Sequence, residues 1–380
     1  MSEVVEPFEI AVPDEEISDL QSRLRATRWP AEAPVGDWRY GTDLAYLQDL
    51  CAYWADGYDW RMHEARLNQF DQFTTEIDGQ HLHFVHARSA EPEARPLIIS
   101  HGWPGSIVEF LHVIDPLRDP VAHGGAPEDA FHVVAPSLPG YGWSGPTTDA
   151  GWDPARIADC FAALMERLGY DHYVAQGGDW GSMITTQMGL RHAERLAGIH
   201  LNMIVAVPPE GVTDFTEAEL AGMTSGAEYL ETGLGYAQIH GTKPQTVGYG
   251  LTDSPAGLAG WIVEKFLAWT DNDGTIESAI DRDDLLTNLS TYWFTRTAPS
   301  SARLYFEAMK SGLFGLQPGR VAVPTGGAVF PAEITRPSRR FAEATFNVVH
   351  WSEFDRGGHF AALEEPDLLV GDIRTFAREL

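Results

Sequence analysis

One aspartate in this chain stands between glycines, in the stretch GGDWG, at the end of an apolar run and before a plausible helix start. A strand, a tight turn of the form Gly-x-nucleophile-x-Gly and a helix raise the central side chain above a sheet. Asp179 occupies that position, flanked by Gly177 and Gly181. Because a carboxylate is ionised near neutral pH, it can attack an electrophilic carbon without a base, and the product is an ester. On this motif alone, the alternative role for Asp179 is a helix cap.

An ester on Asp179 must be hydrolysed, which requires a base to activate water and an acid to orient that base. His359 is the candidate base, because RGGHF follows the strand-like run FNVVHW. The chain order of nucleophile, acid and histidine also fits this kind of site. Four acidic residues lie between the last strand-like runs and the histidine, and their chemistry alone does not choose among Glu333, Glu343, Glu353 and Asp355.

Backbone donors for a tetrahedral oxyanion are expected at two tryptophans. The N–H of Trp180 follows the nucleophile, and Trp103 lies in the stretch HGWPG, directly after an apolar strand-like run. These are the two positions from which such donors usually come.

The elements that would position these residues alternate between strands and helices from about residue 96, a pattern typical of a mostly parallel sheet covered on both faces. A hairpin is expected across Asp78 and Gly79, between apolar runs at 73–77 and 82–85. The pattern becomes helical after about residue 205. We expect an N-terminal segment over 1–90, the first part of an α/β core over 91–204, a helical lid over 205–318 and the second part of the core over 319–380.

The composition excludes several functions. The chain of 380 residues has 26 basic and 55 acidic side chains and a formal charge of −29, so nucleic acid is not an expected partner. The cysteines, Cys51 and Cys160, are too few for a disulfide framework and have no metal-ligand spacing. The start resembles no signal peptide, and no apolar run reaches the ~18 residues of a membrane span. We expect a soluble, cytoplasmic protein without membrane attachment.

Seven motifs in this chain together resemble the microsomal-type epoxide hydrolase family. The resemblance covers nearly the whole chain and implies an α/β-hydrolase fold with a helical lid and a family-specific N-terminal segment. Mammalian members carry an N-terminal membrane anchor that this sequence lacks, so a soluble, bacterial-like member is expected. The motifs are HGWPGS, GGDWG, GTKPQTVGYGL, SPAGLAGWIVEKF, SARLYFE, VPTGGAVFPAE and RGGHFAALEEP.

The resemblance implies a role for each site residue. Asp179 would be the nucleophile, His359 the base and Glu333 the acid that holds the imidazolium. Tyr236, shortly before GTKP, and Tyr305, in SARLYFE, would donate to the epoxide oxygen. This chemistry is reasonable, because an opened epoxide leaves an alkoxide far more basic than a phenol of pKa ~10. The product would be a vicinal diol, and neither a metal nor an organic cofactor is needed.

The sequence leaves other functions open. A haloalkane dehalogenase would share the fold, the aspartate and the adjacent tryptophan, but it needs no proton donor for an alkoxide. A non-catalytic ligand-binding protein typically loses its triad, and the missing serine disfavours an esterase. Twelve tryptophans suggest an apolar or aryl epoxide, although these side chains could equally serve packing. A homodimer and a role in detoxification or natural product biosynthesis are compatible with the sequence.

Overall fold

The protein is built around one nine-stranded sheet. The computed structural model describes residues 4–380, so the first three residues of the expected N-terminal segment lie outside it. Strands β1 to β9 are, in chain order, Glu6–Phe8, Gln72–Ile77, Gln80–Ala87, Arg95–Ser100, Phe131–Pro136, Tyr173–Gly177, Leu196–Leu201, Val321–Val329 and Phe346–Glu353. Their order in the sheet is β1-β2-β3-β5-β4-β6-β7-β8-β9, antiparallel from β1 to β5 and parallel from β5 to β9.

The N-terminal part delivers the chain into the antiparallel edge of this sheet. Helices α1 (Asp14–Arg25), α2 (Leu44–Asp56) and α3 (Trp60–Leu67) precede the hairpin of β2 and β3. At its tip Asp78 and Gly79 have φ of 52° and 74°. Both residues of a tight type I′ turn need positive φ, so the structure has the hairpin that Asp-Gly predicts.

Helices cover both faces of the parallel strands, as expected for a buried parallel sheet. Ile199 of β7 faces the helix Trp180–Arg191, whereas His200 packs against Phe376 of the last helix. Successive strand residues point to opposite faces, so these helices lie in different layers. The helices of the core are α4 (Ile114–Arg118), α5 (Pro154–Arg167), α6 (Trp180–Arg191), α13 (Arg339–Ala342), α14 (Ala361–Glu364) and α15 (Pro366–Arg378).

The segment between β7 and β8 is helical, and the described chain has no strand there. A short π-helical turn, Tyr229–Gly233, interrupts it near its start. Nowhere in residues 4–380 is a helix both long enough and apolar enough to span a lipid bilayer. The helices of this segment are α7 (Glu217–Glu228), α8 (Gly235–Thr242), α9 (Pro244–Asp253), α10 (Pro255–Trp269), α11 (Arg282–Thr295) and α12 (Ala298–Ser311).

Strand β8 is longer than the sequence predicts. The apolar pattern indicates a strand over 320–323, whereas the structure continues it to Val329. Gly326 and Gly327 hide this continuation, because glycine weakens a strand prediction. The structure shows why they are glycines. A Cβ would lie 2.8 Å from the Phe376 ring at Gly326 and 2.6 Å from the Trp351 ring at Gly327.

Candidate active site

Asp179 lies at a sharp corner between β6 and α6. Its φ of 50° and ψ of −128° are unusual for a residue with a side chain, and such backbone strain is concentrated at functional sites. The corner closes only because its flanking residues are small. A Cβ on Gly177 would lie 2.2 Å from the carbonyl oxygen of Gly181, and one on Gly181 would lie 1.9 Å from the carbonyl oxygen of Ser100.

A backbone N–H donates to the Asp179 carboxylate. The Trp103 N–H donates a hydrogen bond to Oδ1 at 2.7 Å. Trp180 is the first residue of α6, so its N–H belongs to the first helical turn, where backbone donors have no partner within the helix. The two predicted oxyanion donors therefore come from the loop after β4 and from the start of α6.

The imidazole of His359 bridges two carboxylates. Its Nε2 lies 3.2 Å from Oδ2 of Asp179, and its Nδ1 lies 2.7 Å from Oε1 of Glu333. Glu333 follows the end of β8 and also accepts a hydrogen bond from the Ile334 N–H at 2.6 Å. Of the four acidic candidates, the structure therefore places Glu333 against the imidazole. The other three pair elsewhere: Glu343 with Arg339, Glu353 with Trp351 and Asp355 with Arg356.

Two carboxylates favour the charged form of the His359 imidazole. Burial alone would lower its pKa, but the carboxylates of Glu333 and Asp179 outweigh burial and raise the pKa well above 6.5. The two carboxylates therefore favour the imidazolium form of His359. A second consequence is that any loss of charge at Asp179 lowers the pKa of this histidine.

The two predicted tyrosines reach the same site from the helical segment. Tyr236 of α8 stacks on Trp103, with ring centroids 4.8 Å apart and planes 11° apart, and its centroid lies 5.7 Å from that of Tyr305 of α12. Both tyrosines are buried, at 7% and 1% exposure. Burial raises the pKa of each well above 10, so both phenols are protonated and can donate.

Sequence reasoning missed two further groups at this site. The Tyr229 hydroxyl lies 3.1 Å from that of Tyr236, and the spacing of seven residues along a helical stretch could have indicated this contact. Glu109 fills the space that a larger residue at 105 would take, because a Cβ on Gly105 would lie 1.4 Å from its Oε1. Burial raises the pKa of Glu109 to about 8, which keeps this carboxyl neutral at pH 7. We find no sequence signal for Glu109.

A cavity of about 450 Å³ lies beside Asp179 and the tyrosines. Asp179, Tyr236 and Tyr305 lie in its wall, and most of the remaining surface is apolar. Its volume is in the range typical of small-molecule sites. The apolar lining includes Trp180, Met183, Met203, Val205, Val207, Met223, Leu230, Leu234, Phe314, Ile334 and Phe341.

Family models match both parts of the chain. One described as "Epoxide hydrolase N terminus" matches residues 5–110, and one described as "alpha/beta hydrolase fold" matches residues 95–250. The first match covers the N-terminal helices and the hairpin. The second covers β4 to β7 and the corner that carries Asp179.

Relatives match over the whole chain. A putative epoxide hydrolase of Stigmatella aurantiaca (strain DW4/3-1) is 49% identical, covering 99% of this chain and 85% of the relative. Epoxide hydrolase 1 of Sus scrofa is 37% identical, with coverages of 98% and 88%. The structure of Aspergillus niger epoxide hydrolase has a TM-score of 0.88 at 34% identity, with coverages of 99% and 96%. That of juvenile hormone epoxide hydrolase from Bombyx mori has a TM-score of 0.91 at 32% identity, with coverages of 99% and 94%. This chain belongs to the epoxide hydrolase family, on the α/β-hydrolase fold.

Proposed function

We propose that the chain converts an epoxide into a vicinal diol in two steps, through an ester formed on Asp179. The observation that carries the proposal is the grouping at the cavity wall. The carboxylate has the imidazole of His359 on one side, at 3.2 Å, and shares the cavity with the phenols of Tyr236 and Tyr305. A nucleophile, a base and proton donors are the groups that the two steps need.

In the first step, a carboxylate oxygen of Asp179 forms a bond to one epoxide carbon. The bond from that carbon to the ring oxygen breaks, and the released alkoxide takes a proton from Tyr236 or Tyr305. The phenols suit this task because an alkoxide is far more basic than a phenolate, so the transfer is downhill. The ester that results carries no charge.

Esterification prepares the base for the second step. The imidazolium of His359 is held charged partly by Asp179, and the ester removes that negative charge from a distance of 3.2 Å. The pKa of His359 then falls, and its proton replaces the one that the tyrosine gave up. A neutral imidazole is thus produced at the point in the cycle where water must be activated.

In the second step, His359 takes a proton from water, and the oxygen of that water attacks the carboxyl carbon of Asp179. The N–H groups of Trp103 and Trp180 stabilise the oxyanion, and Glu333 stabilises the imidazolium. The bond from the carboxyl carbon to the diol oxygen then breaks, and that oxygen takes the second proton of the attacking water, so the diol leaves and Asp179 is again a carboxylate. The charges match the starting state, and the net change is the consumption of one water.

The cavity supports an apolar or aryl epoxide as substrate. The charged residues in its wall are Asp179, Glu219 and Arg336. Glu219 is neutralised by an ion pair with Arg340 and accepts a hydrogen bond from Ser338. The wall around the tyrosines is built from aliphatic, methionine and aromatic side chains, which favour an apolar substituent on the epoxide. The phenols favour an epoxide over a haloalkane, because a departing halide needs no proton.

Trapping the ester tests this function. In His359→Gln, we expect Asp179 to be alkylated but not regenerated, so incubation with styrene oxide should add one substrate mass to the Asp179 peptide in a mass spectrum. His81→Gln, at an exposed histidine, is the control and should show normal turnover without accumulated adduct. Propylene oxide, run in parallel, tests the substrate class.

Two results would contradict the proposal. If wild-type enzyme forms diol while His359→Gln carries no adduct, His359 is not the base that the mechanism needs. Faster turnover of bromoalkanes or p-nitrophenyl esters than of either epoxide would favour a dehalogenase or an esterase. Turnover of propylene oxide but not styrene oxide would remove the apolar substrate class alone.

A further inference from the structure

A buried lysine lies behind the tyrosines of the site. The chain has three lysines, Lys243, Lys265 and Lys310, and two of them are exposed. Lys265 is 5% exposed and lies on the buried face of α10, with Ile262 and Trp269. Lysine is rarely buried, because removing its charge from water is costly even when the charge is paired. The burial of the Lys265 side chain therefore needs an explanation other than packing.

The Lys265 ammonium lies over the ring of a proposed proton donor. Its Nζ is 4.6 Å from the ring centroid of Tyr236 and 5.8 Å from that of Trp269. These distances lie within the ~6 Å at which a cation is attracted to an aromatic face. Its ion-pair partner is Glu264, whose side chain is 33% exposed. Water therefore screens the counter-charge more than it screens the ammonium.

The histidine that packs on Tyr236 and Tyr305 does not carry charge, and the Tyr229 hydroxyl, 3.1 Å from that of Tyr236, is a neutral phenol. His240 packs edge-to-face on both rings, with centroids 5.7 Å and 5.0 Å away, and its Nε2 accepts a hydrogen bond from Trp261 at 3.0 Å. Burial, and secondly the charge of Lys265, lower its pKa to about 3. Lys265 is thus the cation beside the Tyr236 ring.

We propose that Lys265 is a positioning residue for ester formation, whose ammonium stabilises the negative charge that develops on Tyr236 as this phenol gives its proton to the alkoxide. The inference rests on the proposed function, since it requires Tyr236 to act as a donor. As the proton moves, the Tyr236 O–H bond breaks, the alkoxide O–H bond forms and the phenolate charge spreads into the ring. A cation over that ring lowers the energy of this state more than that of the neutral phenol.

A purely structural role would have a different effect. Lys265 also lies over the Trp269 ring, and Trp269 holds His359 in two ways. The backbone carbonyl of Trp269 accepts a hydrogen bond from the backbone N–H of His359 at 2.9 Å, and the Trp269 and His359 rings pack with centroids 5.0 Å apart. A packing defect at Lys265 would therefore disturb ester hydrolysis as well as ester formation. Loss of the charge alone should slow ester formation selectively, because hydrolysis uses His359 and the backbone donors.

Single-turnover measurements separate these effects. With excess enzyme and styrene oxide, ester formation and decay are followed by quenching and intact-protein mass. From the usual strength of a cation–aromatic interaction, we expect Lys265→Met to slow ester formation about tenfold and to change ester hydrolysis less than about twofold. Lys265→Arg, which keeps a cation over the ring, should recover most of the lost rate. Lys310→Met, the same substitution at an exposed lysine, should match wild type.

Each outcome decides one proposal. If wild type forms an ester with neither styrene oxide nor propylene oxide, the proposed function fails. If wild type forms the ester and Lys265→Met forms it equally fast, or if both steps slow equally, the role of Lys265 is wrong. Failure of Lys265→Arg to recover the rate would also overturn it. Should Lys265→Met not fold, as judged by its thermal unfolding, Lys265→Gln carries the same comparison.

Discussion

Asp179 is held in a conformation that aspartate seldom adopts. Its φ is 50°, and its carboxylate is fixed by the Trp103 N–H at 2.7 Å and the imidazole of His359 at 3.2 Å. Gly102 makes room for it, since a Cβ there would lie 1.9 Å from Oδ1. Backbone strain of roughly 1–3 kcal/mol persists only where surrounding contacts enforce it. These contacts favour a reactive carboxylate over a simple helix cap.

Removing the phenol hydroxyls should slow ester formation. We expect Tyr236→Phe and Tyr305→Phe each to lower the single-turnover rate with styrene oxide roughly tenfold. The double variant should lose roughly 10²- to 10⁴-fold, the range typical of general acid catalysis. The rings that pack at 5.7 Å remain in each variant, so unfolding temperatures should change little.

Tyr249→Phe is the matched control for these substitutions. Tyr249 is 70% exposed on α9, so the loss of its hydroxyl should leave both steps unchanged. Ester formation at the wild-type rate in the double variant would show that the alkoxide takes its proton from another group.

The site residues differ in how far the sequence alone could predict them. Asp179 and His359 stand in local motifs whose chemistry can be read directly. Glu333 is one of four plausible acids, and only family position or the fold selects it. Lys265 reaches the site through helix packing in the segment between β7 and β8, and no local pattern encodes that contact.

The turn between β6 and α6 is the element on which the proposed nucleophile depends. Gly177 and Gly181 approach backbone atoms that cannot easily move aside, because the nearest of these atoms belong to α6 and to the end of β4. The same crowding fixes the start of α6, whose first residue is Trp180. A side chain at either glycine should therefore displace the nucleophile as well as destabilise the fold.

We expect Gly181→Ala to abolish detectable ester formation. Its Cβ would lie 1.9 Å from the Ser100 carbonyl oxygen, so β4 and α6 must separate. Overpacking of this kind costs roughly 1–3 kcal/mol or more, measurable by chemical denaturation. Gly371→Ala is the control, because Gly371 lies within α15 and a Cβ there would meet no atom within 4 Å. That substitution should stabilise the protein by about 0.5–1 kcal/mol. Normal ester formation in Gly181→Ala would contradict the role of the turn.

Elements with strong periodicity were predictable, and those shaped by neighbours were not. The Asp78-Gly79 hairpin and the alternation of strands and helices follow from local sequence. The extension of β8 through Gly326 and Gly327 does not, because glycine weakens a strand prediction and these glycines are required by the rings of Phe376 and Trp351 from other elements.

A buried ionic cluster joins distant parts of the whole molecule. Asp372 of α15 accepts hydrogen bonds from His200 of β7 and His350 of β9, each at 2.8 Å, and from Ser352. It therefore links the last helix to two strands of the sheet. Burial alone would raise the pKa of Asp372, but these hydrogen bonds outweigh burial and lower the pKa to about 2.

Asp372→Asn should destabilise the fold without a direct effect on the chemistry. Breaking a buried pair by removing one charged partner costs roughly 3–5 kcal/mol, measurable as the free energy of unfolding at pH 7. A carboxyl whose pKa is lowered from 3.8 stabilises the fold fully above that pH and loses this contribution as the pH falls towards 2. The stability difference from wild type should therefore shrink on acidification.

Asp367→Asn, at an exposed position of the same helix, is the control and should match wild type at every pH. A difference between Asp372→Asn and wild type that stays constant down to pH 2 would mean that the Asp372 charge does not contribute.

The molecule as a whole assembles its site from two layers. The sheet supplies Asp179, Glu333 and His359, and the helical segment supplies Tyr236 and Tyr305. The alternation of strands and helices predicts that the residues supplied by the sheet lie at the carboxyl ends of its parallel strands. How the helices close over them depends on long-range packing, which is why the resemblance to a family, rather than periodicity, indicated the tyrosines.

Isotope labelling tests the central claim most directly. The test is one turnover with excess enzyme, styrene oxide and water enriched in heavy oxygen. One diol oxygen is the former epoxide oxygen, and the other comes from the Asp179 carboxylate if an ester forms. We therefore predict that the first diol carries no label and that the label appears in the Asp179 peptide. A first diol that carries the label, with an unlabelled Asp179, would show direct attack by water and contradict the account.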